Sequence, residues 1–324
     1  MLNIRISNCG ISVVINCSPA VAQLVIDKSQ EFFICHQVKE RKPGEWLITA
    51  EPVLNPVSPT VHRITQIYSH LDEPERIFLI DDKSKILQIV QPIENDWLPQ
   101  MLIRLSRDAL RNLAFSQMYY LHGAFIIYKD FGLCILGEKR SGKTTSVMNI
   151  LSFGNADFVS NDDVSVAYEN GEWVAYGWPR ALSVRKDSVQ ALEKQGAKFN
   201  WDVKLTHPYN QSSVSDECYT FYPKDLVAFT GGSVRKSHRL DAVIFTSFGE
   251  NNMIELLDAS AGEQKLNSCI LQNINEYFGE LGKYFMQPKV GEVRPISGKN
   301  IKYFELRQNF SHLLNIPEWL DRYL

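Results

Sequence analysis

The segment Gly137-Glu138-Lys139-Arg140-Ser141-Gly142-Lys143-Thr144 restricts the fold of this chain more than any other. Its G-x-x-x-x-G-K-[ST] spacing follows the apolar run Leu133-Cys134-Ile135-Leu136 and precedes a helical pattern from Lys143 to about Phe153, with Gly154 expected as the C-cap. A strand that turns directly into a helix needs a sheet to join, which requires an α/β domain. The two glycines let the backbone curl until successive N–H groups converge, and the helix adds its positive N-terminal end. Such a loop binds phosphate. Lys143 is spaced to reach the outer phosphates of a nucleoside triphosphate, and Thr144 to place a hydroxyl on the magnesium that bridges them. ATP and magnesium are the expected cofactors, held by Gly137, Glu138, Lys139, Arg140, Ser141, Gly142, Lys143, Thr144 and Thr145.

The chain has 324 residues, 44% hydrophobic and 22% charged, enough for two domains or for one large domain with an appendage. A formal charge of -3 gives no overall basic field, so nucleic acid is not an expected partner. No apolar run approaches the roughly 18 residues that a membrane span requires. The N-terminal stretch alternates polar and apolar residues, with no cationic start before an apolar block. The expectation is a cytoplasmic protein with no membrane partner. The six cysteines show no C-x-x-C spacing and read as reduced, buried thiols.

Residues 1–95 read as a small β-rich domain, with strands at ISVVIN, EWLITA, RIFLID and ILQIVQ and a polar turn at Asp81-Asp82-Lys83-Ser84. Ser18 and Pro19 open one helix, expected to bury Val21, Leu24 and Val25. Pro56 to Pro59 is an irregular connection. From Trp97 to Tyr119 apolar residues recur at helical spacing, so the boundary is expected just before this helix, with a second domain over 96–324. There GAFIIY, GLCILG, the helix after Lys143, DFVS and VSVAY alternate strand with helix. Asn200 to Asp216 lacks periodicity and reads as a surface loop or mobile flap. LDAVIFTSF is a buried strand, and NFSHLLNIPEWLDRYL reads as closing helices.

A phosphate-binding loop of this type needs an acid at the end of a later strand, and Phe158-Val159-Ser160-Asn161-Asp162-Asp163 offers two. The same residues also suit a plain turn, because Asn and Asp bond their own backbone. His122 lies near the start of the strand before the loop strand, where a structural role competes with a catalytic one. Asp130-Phe131-Gly132 spells a protein-kinase magnesium motif. No H-R-D-x-x-x-x-N precedes it, so it reads as a hairpin turn.

The ordered set Leu121-His122-Gly123, Gly137 to Thr145, Phe158 to Asp163 and Gly177-Trp178-Pro179-Arg180 resembles the catalytic domain of the HPr kinase/phosphorylase superfamily. It is most similar to the divergent HPr-kinase-like proteins of peptide natural-product pathways, including kinases of lasso-peptide precursors. The resemblance covers residues 97 to about 250. It implies a phosphoenolpyruvate-carboxykinase-like fold, with the phosphate loop at the edge of a mixed sheet. It also implies an ATP- and magnesium-dependent kinase acting on a serine hydroxyl of a peptide or protein. In that reading Asp162 is the base and a metal neighbour, Asp163 is the competing base, His122 stands beside the acid, and Arg180 and Arg185 are candidates for holding the substrate. Self-association is left open. The family's glycine-rich signature for attack by inorganic phosphate is replaced here by WPRALSVRKDSVQAL, which points to a kinase without the reverse activity. A small-molecule kinase and a nucleotide-binding regulator without group transfer are the alternatives.

Overall fold

The computed structural model describes the whole chain except residues 67–72, 74, 91–96, 273–280, 286–294 and 299. Contacts divide it into two units, the first built mainly from Met1–Gln117 and the second beginning at Met118. The boundary expected at 95 falls among residues outside those described. The observed division lies after the long helix instead of before it.

In the first unit β1 (Leu2–Asn8) and β2 (Ile11–Cys17) form a hairpin. Its two turn residues, Cys9 and Gly10, both have positive φ, of 51° and 76°, the handedness that matches strand twist in a two-residue turn. Helix α1 (Pro19–Ser29) starts as expected, with the Ser18 hydroxyl accepting from the Val21 N–H at 3.4 Å and proline in the first turn. Its buried stripe runs through Val21, Ala22, Val25 and Ser29, and Leu24 is exposed, contrary to the periodicity reading. Strands β3 (Ile34–Val38), β4 (Trp46–Thr49), β5 (Val61–Gln66), β6 (Arg76–Asp81) and β7 (Ile86–Ile89) complete a seven-stranded sheet of order β3-β1-β2-β4-β7-β6-β5. The β2–β4 and β4–β7 pairs are parallel and the others antiparallel. Between β6 and β7 the Asp81 carboxylate accepts from the Lys83 N–H at 3.0 Å and the Ser84 hydroxyl at 2.7 Å, an Asx turn.

Helix α2 (Trp97–Leu113) ends short of the expected Tyr119 and belongs to this first unit, where it packs against α1, β1, β2 and β4. It is buried on nearly every side, so Arg107, Asp108, Arg111 and Asn112 are enclosed along with Leu102, Leu105 and Leu110. Its charges are matched locally: Arg107 meets Asp108 at 3.1 Å, and Arg104 grips Glu73 through both guanidinium nitrogens at 2.6 and 2.9 Å. The N-terminal unit is therefore a sheet with its own covering helix, larger than the β module that composition suggested.

The second unit stacks two sheets and a helical layer. Its main sheet contains β9 (Gly123–Tyr128), β10 (Phe131–Leu136), β11 (Asp157–Asn161), β17 (Ala242–Phe248), β18 (Met253–Leu256) and β19 (Lys302–Gln308), in the order β11-β9-β10-β17-β19-β18. It is mixed: β10, β17 and β19 run parallel, and the outer pairs are antiparallel. The strand feeding the phosphate loop, β10, lies between β9 and β17, in the interior and not at the edge that the resemblance implied. The second sheet, β16-β13-β12-β8, is antiparallel and comprises β8 (Tyr119–Leu121), β12 (Val164–Glu169), β13 (Glu172–Tyr176) and β16 (Ser237–Arg239). Strands β14 (Leu182–Arg185) and β15 (Cys218–Phe221) pair separately.

One core fills the space between the two sheets, joining Phe125, Cys134, Leu136, Val243, Phe245 and Tyr303 of the main sheet to Leu121, Val164, Val166, Trp173 and Ala175 of the second. On the main sheet's other face lies α3 (Lys143–Gly154), with the closing helix Ile316–Leu320 against it. The C-cap of α3 is Asn155, left-handed at φ 47°, and not Gly154. Gly154 serves close packing instead, since a Cβ there would lie 2.8 Å from the Tyr128 ring. Strand β19, which sequence reading passed over, is central to this sheet. The loop over 200–216 is pinned: His207 and Pro208 are buried, and Asn210 bonds Thr220 through both side-chain atoms at 2.7 and 2.9 Å. All six cysteines are unbridged, and burial pushes the Cys17 and Cys35 thiols up to about 11. Among the described residues no helix is long and apolar enough to cross a membrane.

Lys129 and Asp130, at φ 47° and 67°, make the two-residue turn between β9 and β10, so Asp130-Phe131-Gly132 is a hairpin segment. Gly132 itself is a strand residue pressed against β16, and a Cβ there would come within 1.8 Å of the Arg239 carbonyl oxygen. Backbone cannot yield as a side chain would. Gly132→Ala is therefore expected to destabilise the second unit by about 1–3 kcal/mol, read as a lowered thermal midpoint.

Candidate active site

The loop between β10 and α3 takes the form its residue pattern implied. A Cβ on Gly137 would lie 2.4 Å from the Ser141 hydroxyl and 2.7 Å from the Thr246 carbonyl, so no side chain fits there. Gly142 caps α3 at φ 95°, a left-handed conformation that glycine adopts without a Cβ penalty. Glu138, Lys139 and Arg140 are exposed at the loop's crest, Thr144 is half-buried, and Thr145 is buried with its hydroxyl 3.4 Å from that of Ser188. Lys143 is only 8% exposed, and its ammonium donates to the Gly137 and Glu138 carbonyls at 2.8 Å each. Lys143 is therefore an enclosed residue and not a solvent-facing one. Burial pulls this ammonium below its ordinary range, and the charge of Asp162 acts in the opposite direction.

Three residues outside the motif fix the loop, and sequence reading found none of them. Thr246 near the end of β17 shares a hydroxyl contact of 3.0 Å with Ser141, and bonds the Leu136 carbonyl at 3.2 Å. Gln308 at the end of β19 donates to the Ser146 hydroxyl at 2.9 Å, and Ser146 in turn donates to the Gly142 carbonyl at 3.0 Å. The available signal was a polar residue near the end of the apolar strand β17; β19, with Lys302, Glu305 and Arg307, offered none.

His122 and the acid pair meet for a topological reason. Leu121 on β8 pairs with Val164 on β12 in the second sheet, and Ala124 on β9 pairs with Asn161 on β11 in the main sheet. Both neighbouring chains thus pass from one sheet to the other at the same level, and the residues at the two corners are His122-Gly123 and Asp162-Asp163. Asp162 turns its corner at φ 61°, a left-handed conformation that aspartate tolerates better than most side chains. His122 Nε2 stands 4.0 Å from Asp162 Oδ1, an electrostatic contact longer than a hydrogen bond.

Arg180 ties the acids together, with Nη1 at 3.0 Å from Asp163 Oδ1 and Nη2 at 3.4 Å from Asp162 Oδ2. It is aimed by its neighbour Trp178, fully buried, whose indole N–H donates to the Ser165 hydroxyl at 2.7 Å. The two carboxylates differ in access: the Asp162 side chain is 30% exposed and that of Asp163 only 3%. The buried acid serves as an anchor for Arg180, and the accessible one faces His122. Arg185 lies elsewhere in the arrangement, exposed and held by Asp187 at 2.8 Å.

Burial holds the His122 imidazole below its ordinary range; Lys143 and Arg180 act in the same sense, with Asp162 and Asp163 opposing. A histidine with a lowered folded value is protonated first in the unfolded chain, so stability falls as pH drops through about 6.5. His122→Asn is expected to remove part of that acid-side loss. Thermal midpoints measured between pH 8 and pH 5 check this, and superimposable profiles for variant and parent would exclude it.

No protein-family model matches this sequence, and no curated protein resembles it at a significant level. Among solved structures, the HPr(Ser) kinase/phosphatase from Coxiella burnetii shares 13% identity with a TM-score of 0.24, over 43% of this chain and 70% of that one. A likeness of that strength decides nothing about this chain, whose reading rests on the geometry of the loop and the sheet corner.

Proposed function

We propose that this chain is an ATP- and magnesium-dependent kinase that phosphorylates an aliphatic hydroxyl, specifically a serine of a peptide or protein such as a natural-product precursor. The observation that carries the reading is the corner cluster, where an accessible carboxylate, Asp162, stands 4.0 Å from His122 and within electrostatic reach of the loop lysine, Lys143. A protein that only sensed nucleotide would have no use for a hydroxyl-activating acid there.

Bound ATP supplies the phosphoryl group, and magnesium neutralises its charge. Among the described residues no group of three or more His, Cys, Asp or Glu side chains could hold a metal alone. Magnesium would instead share the phosphates, Thr144 and Asp162. In the transfer the serine oxygen bonds to the γ-phosphorus, the bond to the β–γ bridging oxygen breaks, and Asp162 takes the hydroxyl proton. Lys143 stabilises the charge that develops on the transferred group. Neutral His122 orients Asp162 or a phosphate oxygen, and Arg180, already engaged with both acids, positions them. Arg185, exposed beside α4 (Lys186–Lys194), remains a candidate for holding an acidic substrate group.

We assign substrate recognition to the N-terminal unit, since a metabolite needs only a pocket beside the γ-phosphate whereas a peptide benefits from a docking surface. The test is mass spectrometry of serine-containing peptides and free serine, each incubated with the chain, ATP and magnesium. Phosphorylation of peptides alone is expected, without pyrophosphate release when phosphate is added to the purified phosphopeptide. Modification of free serine alone would overturn the peptide assignment.

A further inference from the structure

Two large aromatic side chains stand exposed beside the phosphate loop: Phe248 at the end of β17, 40% exposed, and Phe310 just after β19, 39% exposed. Their rings meet edge to face, with centroids 5.8 Å apart and planes at 84°, so each keeps ring surface uncovered. Phe248 lies against the N-terminus of α3. A Cβ built on Gly142 would be 2.9 Å from Phe248 Cζ, which makes the ring an immediate neighbour of the last loop glycine.

The segments that carry these rings are laced together. The Gly249 N–H donates to the Gln308 carbonyl at 3.0 Å, and the Asn309 N–H to Asn252 Oδ1 at 2.8 Å. The Asn309 amide also donates to the Glu250 carbonyl, and the Asn252 amide to the His312 carbonyl. These four ties hold the two ring-bearing segments to one another, and the closeness of Phe248 to Gly142 places the pair beside the loop.

We infer that Phe248 and Phe310 form the platform on which the base of a purine nucleotide stacks while its phosphates occupy the loop. The inference rests on the nucleotide reading of Gly137–Thr145 and assigns the base subsite that the motif leaves open. Stacking uses the π-face, which every base has, so the platform favours nucleoside triphosphates over inorganic polyphosphate and discriminates little between adenine and guanine.

The test is calorimetric titration of the whole chain with Mg-ATP, Mg-GTP and magnesium tripolyphosphate. Phe248→Ala and Phe310→Ala are each expected to weaken both nucleotides about tenfold, equivalent to about 1.4 kcal/mol, and to leave tripolyphosphate within about twofold. Phe248→Leu, which keeps apolar bulk against Gly142 without a π-face, is expected to behave as Phe248→Ala does, which separates stacking from disturbance of the loop. Undiminished nucleotide binding in these variants would overturn the platform and leave the phosphate loop standing, as would equal losses for nucleotide and tripolyphosphate. A parent chain that bound neither nucleotide nor tripolyphosphate would remove the nucleotide reading itself, and the platform with it.

Discussion

Replacing Lys143 with alanine is expected to reduce phosphoryl transfer by about a hundredfold to a thousandfold, the cost of losing one preorganised charge from the transition state. The ammonium is enclosed and donates at 2.8 Å to both the Gly137 and Glu138 carbonyls. Its removal therefore also frees two loop carbonyls. Glu138 is exposed, so water can take the place of that donor, and the loss of stability should stay near the ordinary net value of about 1 kcal/mol for a hydrogen bond. Circular dichroism melts alongside turnover separate the two effects. A variant with unchanged turnover would defeat the assignment of this loop.

The acid pair should divide its duties between chemistry and structure. Asp162→Asn is expected to cost about a hundredfold to ten-thousandfold in transfer, the usual worth of a positioned general base. Its melting point should change little, because the side chain is partly exposed and makes its 3.4 Å contact with Arg180 at a looser distance than Asp163 does, and nucleotide affinity should stay close to the parent's because the loop and Thr144 still hold the phosphates and metal. Asp163→Asn removes the closer and buried partner of that arginine. Arg180 keeps some solvent access and the second acid, so the expected destabilisation is about 1–3 kcal/mol, below the loss for a fully enclosed pair. Transfer by that variant should fall less than for Asp162→Asn once both are assayed well below their melting points. The reverse order in transfer would move the base to Asp163.

Much of the second unit was legible because its signals are local. The glycine spacing, the apolar run before it and the helical pattern after it all concern adjacent residues, and they describe residues 137–153 as they fold, missing only the cap at Asn155. The Ser18 cap and the presence of a hairpin at Asp130 were readable for the same reason, although the turn falls on Lys129-Asp130 and Phe131 and Gly132 already belong to β10. What escaped reading depends on residues distant in the chain. Strand β19 alternates in burial only from Phe304 through Leu306 to Gln308, its charged neighbours dilute the pattern, and its place beside β17 is a matter of topology. The unequal burial of Asp162 and Asp163 could not be read from two adjacent identical residues. It comes from the turn between sheets and from Arg180, which Trp178 aims. The boundary before α2 was misplaced because amphipathic spacing reports a buried face without saying what buries it, and here that partner is the N-terminal sheet.

Asp162 is proposed to activate a serine hydroxyl for attack on a nucleotide held by the Lys143 loop. Single-turnover transfer tests it most directly, with enzyme in excess over γ-labelled Mg-ATP and a pool of serine peptides, comparing the parent chain with Asp162→Asn. Label on peptide serine is expected with the parent chain, and retained ATP binding with almost no label for Asp162→Asn. Equal labelling by the two proteins, or no labelled serine from a parent chain that binds ATP, would contradict it.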